Sequence, residues 1–372
     1  MSLVRPAHGD NVPRQNDLSS AATLRSIGES LGLSPATVSR ALNGFPEVGE
    51  ATRLRVIEAA RLLDYRPNQV ARKLVSGRSG IVGLVVGKPR SLATDTTFFG
   101  VISELSASLA ARDVDLVLHV STDMDEVEPY RRLLAKGTLD GFILNGPRPD
   151  DARIAFLEAA GANFVVHGRS AESVSYPYFD IDNRAVSELA VELLCDLGHR
   201  RIALINGPAE LAFAADRLHG FRIALARRGR SVAARLVLHG PMTEQQGYLA
   251  GLRMLNGEAG QRPTGIVCGS TVLAAGVMRA AIELGLDVPG DISIVSHDDD
   301  VPQLPAAAFA VPLTTTWSPL TSACAPLVEL LLARVAGEQQ PSRLQRVAAP
   351  QLVLRRSTGA ARDKEEWVQI DF

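Results

Sequence analysis

From Ile81 onward the chain repeats one texture: a short, wholly apolar, β-rich run followed by an amphipathic helical pattern. The runs are Ile81–Val86, Val114–His119, Gly141–Leu144, Phe164–Val166, Ile202–Ile205, Leu236–Leu238, Gly265–Cys268 and Ile292–Val295. Helical patterns such as Phe99–Ala111, Val186–Leu197, Leu218–Arg227, Glu244–Leu255 and Ala274–Leu284 separate them. A strand that is apolar throughout must be covered on both faces, and strand–helix alternation supplies the crossovers that parallel pairing needs. There are more such runs than one tidy sheet would use, which predicts two doubly wound parallel-sheet lobes with a cleft between them. The 372 residues leave room for a further small domain, since domains take about 100–200 residues each.

That room lies upstream. Met1–Ala22 is polar and aperiodic and is expected to be a disordered arm. Three short helical patterns follow, Leu24–Leu31, Pro35–Leu42 and Glu50–Leu63. In them Ile27, Leu31, Val38, Leu42, Leu54, Ile57 and Leu63 recur at three- and four-residue steps, which predicts one buried stripe per helix. Ser34-Pro35 is a helix start, with a hydroxyl to cap free N–H groups and a ring preset for the first turn. Gly32 fits a tight turn that needs positive φ, and Gly28 fits a close approach one turn earlier. Helix, turn, capped helix is the unit that lays its second helix in the DNA major groove, although the spacing alone also fits an ordinary helical hairpin.

Charge is distributed unevenly. The net charge is −2, yet residues 1–80 hold eleven Lys/Arg against seven Asp/Glu, and the remainder 28 against 34. Arg66, Arg72, Lys73 and Arg78 fall in a stretch with no acid. A small nucleic-acid-binding head on an acidic body has this signature, and so has a merely solvated basic face. No apolar run approaches the roughly 20 residues that span a bilayer, and no export signal is evident, so the expectation is a cytoplasmic protein with no membrane partner. Cys195, Cys268 and Cys324 stand alone in apolar stretches, which predicts buried thiols and neither disulfide nor metal site. There is no Gly-x-Gly-x-x-Gly after a strand, no His-x-x-x-His and no Cys-x-x-Cys. An enzyme reading of the α/β core therefore lacks its chemistry, and no cofactor is expected.

The segment Leu24-Arg-Ser-Ile-Gly-Glu-Ser-Leu-Gly-Leu-Ser-Pro-Ala-Thr-Val-Ser-Arg-Ala-Leu-Asn43 resembles the head of the LacI/GalR family of transcription regulators. The match continues through Val48, Thr52, Arg53, Val56, Ala59, Ala60 and Tyr65-Arg66-Pro67-Asn68. The resemblance implies that Pro35, Ala36 and Arg40 face base edges. Arg40 is suited to pair bidentately with guanine, whereas Pro35 and Ala36 offer at most contact with a thymine methyl. Thr37, Ser39 and Asn43 are expected on phosphate or in helix caps. Asn68-Gln-Val-Ala-Arg-Lys-Leu-Val-Ser76 resembles the family's hinge helix, with Val70 and Leu74 on one face, Arg72 and Lys73 beside them, and Ala71 small enough for close approach. So short a helix needs partner contacts. Two hinges paired over the minor groove would supply them, with Leu74 as the wedge; packing of Leu74 on the core is the plain alternative.

Further matches are Leu197-Gly-His-Arg-Arg-Ile-Ala-Leu-Ile-Asn-Gly-Pro208, Arg217-Leu-His-Gly-Phe221, the stretch Gly285–Asp299 and Pro312-Leu-Thr-Thr315. They imply a core like the periplasmic sugar-binding proteins, with ligand held at the C-terminal ends of strands. The expected domains are an arm (1–22), a helix-turn-helix head (23–66), a hinge helix (67–78), a two-lobed core (79–358, crossing near 180, 316 and 344) and a tail (359–372). The expected effector contacts are Arg217, Asp298, Asn145, His167, Arg169, Met242 and Ser270. Asp182-Asn183 also fits a helix start, and Asp299 and Asp300 fit loop caps. Ser270-Thr271 departs from the Asn-Asp of many relatives, and Met242 from an aromatic. His167-Gly-Arg169 with Tyr176-Pro-Tyr-Phe-Asp-Ile-Asp-Asn183 resembles the α-glucoside-responsive branch. The function implied is a homodimeric repressor of a palindromic double-stranded operator, governed by a small carbohydrate effector. A corepressor-dependent regulator of non-sugar metabolism and an α/β enzyme with a DNA-binding head are the alternatives. The tail has no leucine heptads, which predicts a dimer and no higher assembly.

Overall fold

The computed structural model describes residues 22–42, 44–65, 78–87, 96–258 and 260–361. The expected arm up to residue 21, Asn43, the hinge residues Asn68, Val70, Ala71, Arg72, Lys73 and Leu74, and the tail from residue 362 lie outside the described residues. The chain divides into two compact units, with the boundary between Arg78 and Ser79.

In the first unit, α1 (Leu24–Leu31), α2 (Pro35–Leu42) and α3 (Glu50–Leu62) surround a small core. Thr23 and Ser26 cap α1 reciprocally, each hydroxyl accepting the other's backbone N–H. The helix ends at Gly32, whose φ of 69° closes the turn. Ser34 Oγ then accepts the Thr37 N–H at 3.1 Å and starts α2 at Pro35. Gly28 meets the turn itself: a Cβ there would lie 2.5 Å from the Leu33 carbonyl oxygen.

The core consists of Ile27, Val38, Ala41, Val48, Val56 and Ala60. On α3 this corrects the stripe expected from sequence, because Leu54, Ile57 and Leu63 are 59%, 48% and 42% exposed. The rotation has a cause. Arg53, on the same side of α3 as Val56 and Ala60, donates to the carbonyls of Phe45 and Val48 and turns that small-residue face inward. Val and Ala let the third helix come close to a core that α1 and α2 have nearly filled.

The second unit holds two six-stranded sheets. The first contains β1 (Ile81–Gly87), β2 (Asp115–Ser121), β3 (Gly141–Asn145), β4 (Phe164–His167), β5 (Tyr178–Ile181) and β11 (Gln345–Ala348). Its order is β11-β5-β4-β3-β1-β2, with every pair parallel. The second contains β6 (Ile202–Asn206), β7 (Val237–His239), β8 (Gly265–Cys268), β9 (Ser293–Asp298), β10 (Thr314–Trp317) and β12 (Gln351–Val353), in the order β12-β10-β9-β8-β6-β7. Here β12 runs antiparallel to β10 and the other pairs are parallel. Each sheet therefore reverses its winding beside its first strand, and doubly wound sheets bind ligands at the carboxyl ends of strands flanking that reversal.

Helices cover both faces of both sheets. On the first, α4 (Thr96–Ala110) and α11 (Cys324–Val335) set Leu105, Leu109, Val328 and Leu331 against Val82, Ile143 and Val165. On its other face α5 (Glu128–Lys136) and α6 (Ala152–Ala159) bury Tyr130 and Leu157 against Phe142. On the second sheet, α7 (Asn183–Asp196) and α8 (Ala212–Arg227) cover one face, and α9 (Glu244–Leu255) and α10 (Thr271–Glu283) the other. Burial of each large apolar side chain contributes about 1.5–3 kcal/mol.

Four strands, β5, β10, β11 and β12, do not stand out as apolar runs. β5 carries the buried Asp180, and β10 opens with Thr314, Thr315 and Thr316, all at most 1% exposed. These strands flank the passages between lobes, which the chain makes after β5, after β10 and between β11 and β12. Among the described residues no helix is long and apolar enough to cross a membrane, and no group of His, Cys, Asp and Glu could hold a metal ion.

Candidate functional site

On the head, α2 presents Pro35, Ala36 and Arg40 to solvent, while Thr37 and Ser39 are half-buried. Ala36 and Arg40 share a face at i and i+4. Thr37 is tied into the cap, its Oγ1 2.8 Å from Ser34 Oγ. An exposed guanidinium at the end of a short, capped helix is what reading a base edge requires.

In the core, polar side chains gather where the strands end. Arg217 of α8 is 4% exposed. Its Nε donates to Asn183 Oδ1 at 2.9 Å and an Nη donates to the Gly269 carbonyl at 2.7 Å. The guanidinium also lies 5.0 Å from the centre of the Phe213 ring. Burial pulls the pKa of Arg217 down, against the carboxylates of Asp299 and Asp180. Burial alone would raise that of Asp299, but His297, Arg217 and His167 together hold it below the usual carboxylate range. His297 Nε2 is 3.2 Å from Asp299 Oδ1, and its Nδ1 is 3.2 Å from Thr316 Oγ1.

The first lobe supplies the rest. His167 ends β4, and burial pushes its pKa down to about 4 despite Asp299, so the imidazole is neutral at neutral pH. Arg169 Nε lies 3.0 Å from Asp180 Oδ2. Asp180 Oδ1 accepts from the Ile181 N–H at 2.9 Å and from Asn183 Nδ2 at 3.3 Å. Burial raises the Asp180 carboxyl to about 7, with Arg169 pulling the other way. Arg169, Asp180, Asn183 and Arg217 thus form a run of polar contacts from the first lobe to the second, and the Asp299–His297 pair acts on Arg217 through its charge. Close by, the Ala212 N–H of the second lobe donates to the Pro147 carbonyl of the first at 2.9 Å.

Of the residues expected at the effector site, the structure brings together Arg217, His167 and Arg169. Asn145 is exposed at the end of β3. Ser270 is buried and caps α10, accepting the Leu273 N–H at 3.2 Å. Met242 is half-buried and packs at the edge of the apolar cluster beneath the second sheet. The carboxylate of Asp298 accepts the Asp300 N–H at 3.0 Å, and burial raises its pKa. The acid that interacts with Arg217 and His167 is its neighbour Asp299. Strand alternation carries that signal in the sequence: His297 and Asp299 fall on one side of the β9 line and Asp298 on the other. Asp182 does cap α7, accepting the Ala185 N–H at 3.0 Å, while Asn183 beside it orients Arg217. Phe213 had no motif to mark it, and Asp180 lay within the Tyr176–Asn183 motif without being singled out.

Two open cavities lie outside this chain of groups. One of about 520 Å³ is lined by residues within the segments Pro149–Glu158 and Ser170–Tyr176, among them Asp151, Glu158 and Tyr176, and one of about 400 Å³ by Pro208–Glu210 and His239–Pro241. Neither includes Arg217 or Asp299; a cluster of buried charged groups with shifted pKa values is itself the mark of a candidate site.

A helix-turn-helix head joined to a two-lobed core with a buried polar cluster between the lobes defines a ligand-responsive DNA-binding regulator. Residues 23–68 match the bacterial regulatory proteins of the lacI family, and residues 191–358 match the periplasmic binding protein-like domain. The chain is 41% identical over 344 residues to the HTH-type transcriptional regulator AglR of Rhizobium meliloti, covering 92% of this chain and 95% of that relative. It is 32% identical to the HTH-type transcriptional regulator CelR of Thermobifida fusca, over 87% of this chain and 94% of CelR. Among solved structures, a CelR–cellobiose complex is similar with a TM-score of 0.67 and 29% identity, covering 90% of this chain and 99% of that one. The lac repressor dimer bound to operator and the anti-inducer ONPF is similar with a TM-score of 0.74 and 27% identity, covering 92% and 100%. The protein belongs to the LacI family of transcription regulators and is not an enzyme.

Proposed function

We propose that the protein is a cytoplasmic homodimeric repressor whose grip on a palindromic operator is set by a small carbohydrate, an α-glucoside, bound between the core lobes. The observation that carries this reading is the buried Arg217, held by Asn183 and Gly269 and faced by Asp299, where both lobes meet. Charged donors and acceptors make hydrogen bonds roughly twice as strong as neutral ones, and sugar hydroxyls can use both kinds. Arg217 and His167 are the proposed primary contacts with Asp299; Arg169, Asn145, Asp298, Met242 and Ser270 would shape the surroundings. The relatives support a carbohydrate effector and a DNA-bound dimer, since one solved neighbour holds cellobiose and another is a dimer on its operator.

On the DNA side, Arg40 would read a base edge, with Pro35 and Ala36 against it and Thr37, Ser39 and Asn43 fixing register. Asn68, Val70, Ala71, Arg72, Lys73 and Leu74 would form the minor-groove hinge. A ligand shifts operator affinity only by its differential affinity for the two lobe arrangements. The test is fluorescence anisotropy of a palindromic duplex with the full chain, across salt concentrations and with maltose, trehalose, cellobiose and glucose. The reading expects steep salt dependence and weakening by an α-glucoside. Strengthening would make the sugar a corepressor, and indifference to every sugar would refute the effector class. Leu74→Ala should weaken operator binding and leave sugar binding unchanged.

A further inference from the structure

The core begins at Ser79–Gly80, and a single carboxylate holds this point. Asp140 Oδ1 accepts the Ser79 N–H at 2.5 Å, and Oδ2 accepts the Gly80 N–H at 2.7 Å. The two contacts span 61 and 60 residues of sequence. Asp140 is itself fixed through its backbone: its N–H donates to the Ile81 carbonyl at 2.8 Å, and its carbonyl accepts from Asn163 Nδ2 at 3.1 Å. Gly80 turns with φ of 68°, and its carbonyl accepts the Asp115 N–H at 2.8 Å. The first two residues of the core are therefore pinned to β3 by a carboxylate and to β2 by a carbonyl.

Asp140 immediately precedes β3, and the opposite end of β3 is Asn145, beside the cleft. Five strand residues span roughly 16 Å at about 3.3 Å each. β3 is an interior strand, paired with β1 on one side and β4 on the other, so it moves as part of the lobe and does not bend alone. Whatever rotates the carboxyl end of β3 also rotates the carboxylate at its start.

We propose that Asp140 is a positioning residue that sets the direction in which the chain leaves the core toward the head, and through it lobe rotation at the effector cleft reaches the DNA-binding unit. The inference rests on the regulator reading above. A carboxylate suits the task because it accepts two N–H groups at once and holds each more strongly than a neutral acceptor. It touches neither Arg217 nor Asp299, so sugar contacts and coupling are separable by mutation.

The experiment uses the full chain, a palindromic operator duplex and maltose as the probe, with Asp140→Ala and the isosteric Asp140→Asn. Asn keeps the size but turns an NH₂ group toward one of the two N–H donors, so it breaks the clamp in a protein that still folds. The expected result is maltose affinity within about twofold of the parent, while the factor by which maltose changes operator affinity falls at least about fivefold, a loss of roughly 1 kcal/mol of coupling. A purely structural role would instead shift the thermal midpoint and leave that factor intact, and this result would overturn the proposal. If maltose affects neither parent nor variants, the sugar reading fails first. The clamp is then judged by sugar-free operator affinity, where at least a fivefold change in Asp140→Asn is expected and equality with the parent overturns it.

Discussion

Replacing Arg217 by Met removes a buried cation while keeping a side chain of similar reach. Asn183 Oδ1 and the Gly269 carbonyl would lose their donors, and each buried acceptor left unpaired costs about 1–3 kcal/mol. Asp299 would keep His297 but lose the Arg217 charge that helps hold it ionised. The two unpaired acceptors together put the expected loss at about 2–6 kcal/mol. Large domains lose about 2–4 °C of Tm per kcal/mol, so the core transition should fall by roughly 4–24 °C in a thermal scan. Lost hydrogen bonds to a charged donor, about 1.5–3 kcal/mol, should weaken sugar binding by roughly 10- to 100-fold in a calorimetric titration. Arg217→Lys should lose less stability, because a cation remains to face Asp299, and nearly as much affinity, because the planar fork is gone. An Arg217→Met protein that melts with the parent and binds sugar as tightly would refute both the electrostatic argument and the assignment of the site.

Other expectations follow from single contacts. Arg40→Ala should relax discrimination at one operator base pair by about 1–3 kcal/mol, read by comparing matched and substituted duplexes. Gly276→Ala should destabilise the core despite a helix-propensity gain of about 1 kcal/mol, because its Cβ would lie 2.1 Å from the Glu244 carbonyl oxygen and force α9 from α10; a raised Tm would contradict this. His167 is lowered by burial to about 4 from 6.5, so the unfolded chain binds more protons between those values. Its contribution to stability is intact above about pH 6.5 and lost as pH falls toward 4, and His167→Gln should flatten the midpoint-against-pH curve in that window. Asp180 runs the other way, its carboxyl raised by burial from 3.8 to about 7. Its contribution is full below about pH 4 and lost as pH rises through 7, so Asp180→Asn should make the midpoint less sensitive to rising pH.

The doubly wound lobes were legible because a strand buried on both faces must be apolar, and runs such as Ile202–Ile205 and Gly265–Cys268 are. The helix starting at Pro35 was legible because its cap is local. Features that depend on the tertiary context were not. On α3 the leucines suggested a stripe that Arg53 rotates outward. β5 and β10 bury Asp180 and three threonines, which only neighbouring strands and side chains can satisfy. At the site, Arg217 and His167 stood in recognisable motifs, whereas weighing the adjacent acids Asp298 and Asp299 needs the strand's phase. Asp140 carries no motif at all: its role lies in a contact made 61 residues away along the chain.

The three passages between the lobes lie side by side: Asp182 N–H donates to the Ala348 carbonyl at 2.9 Å, and β10 pairs with β12. Adjacent tethers resist separation and sliding but tolerate bending about their common line, so the halves should open and shut like a book on its spine. The same redundancy makes the core tolerant of a protease: one cut strand at the spine leaves two intact, and the nicked halves should stay together until a denaturant pulls them apart.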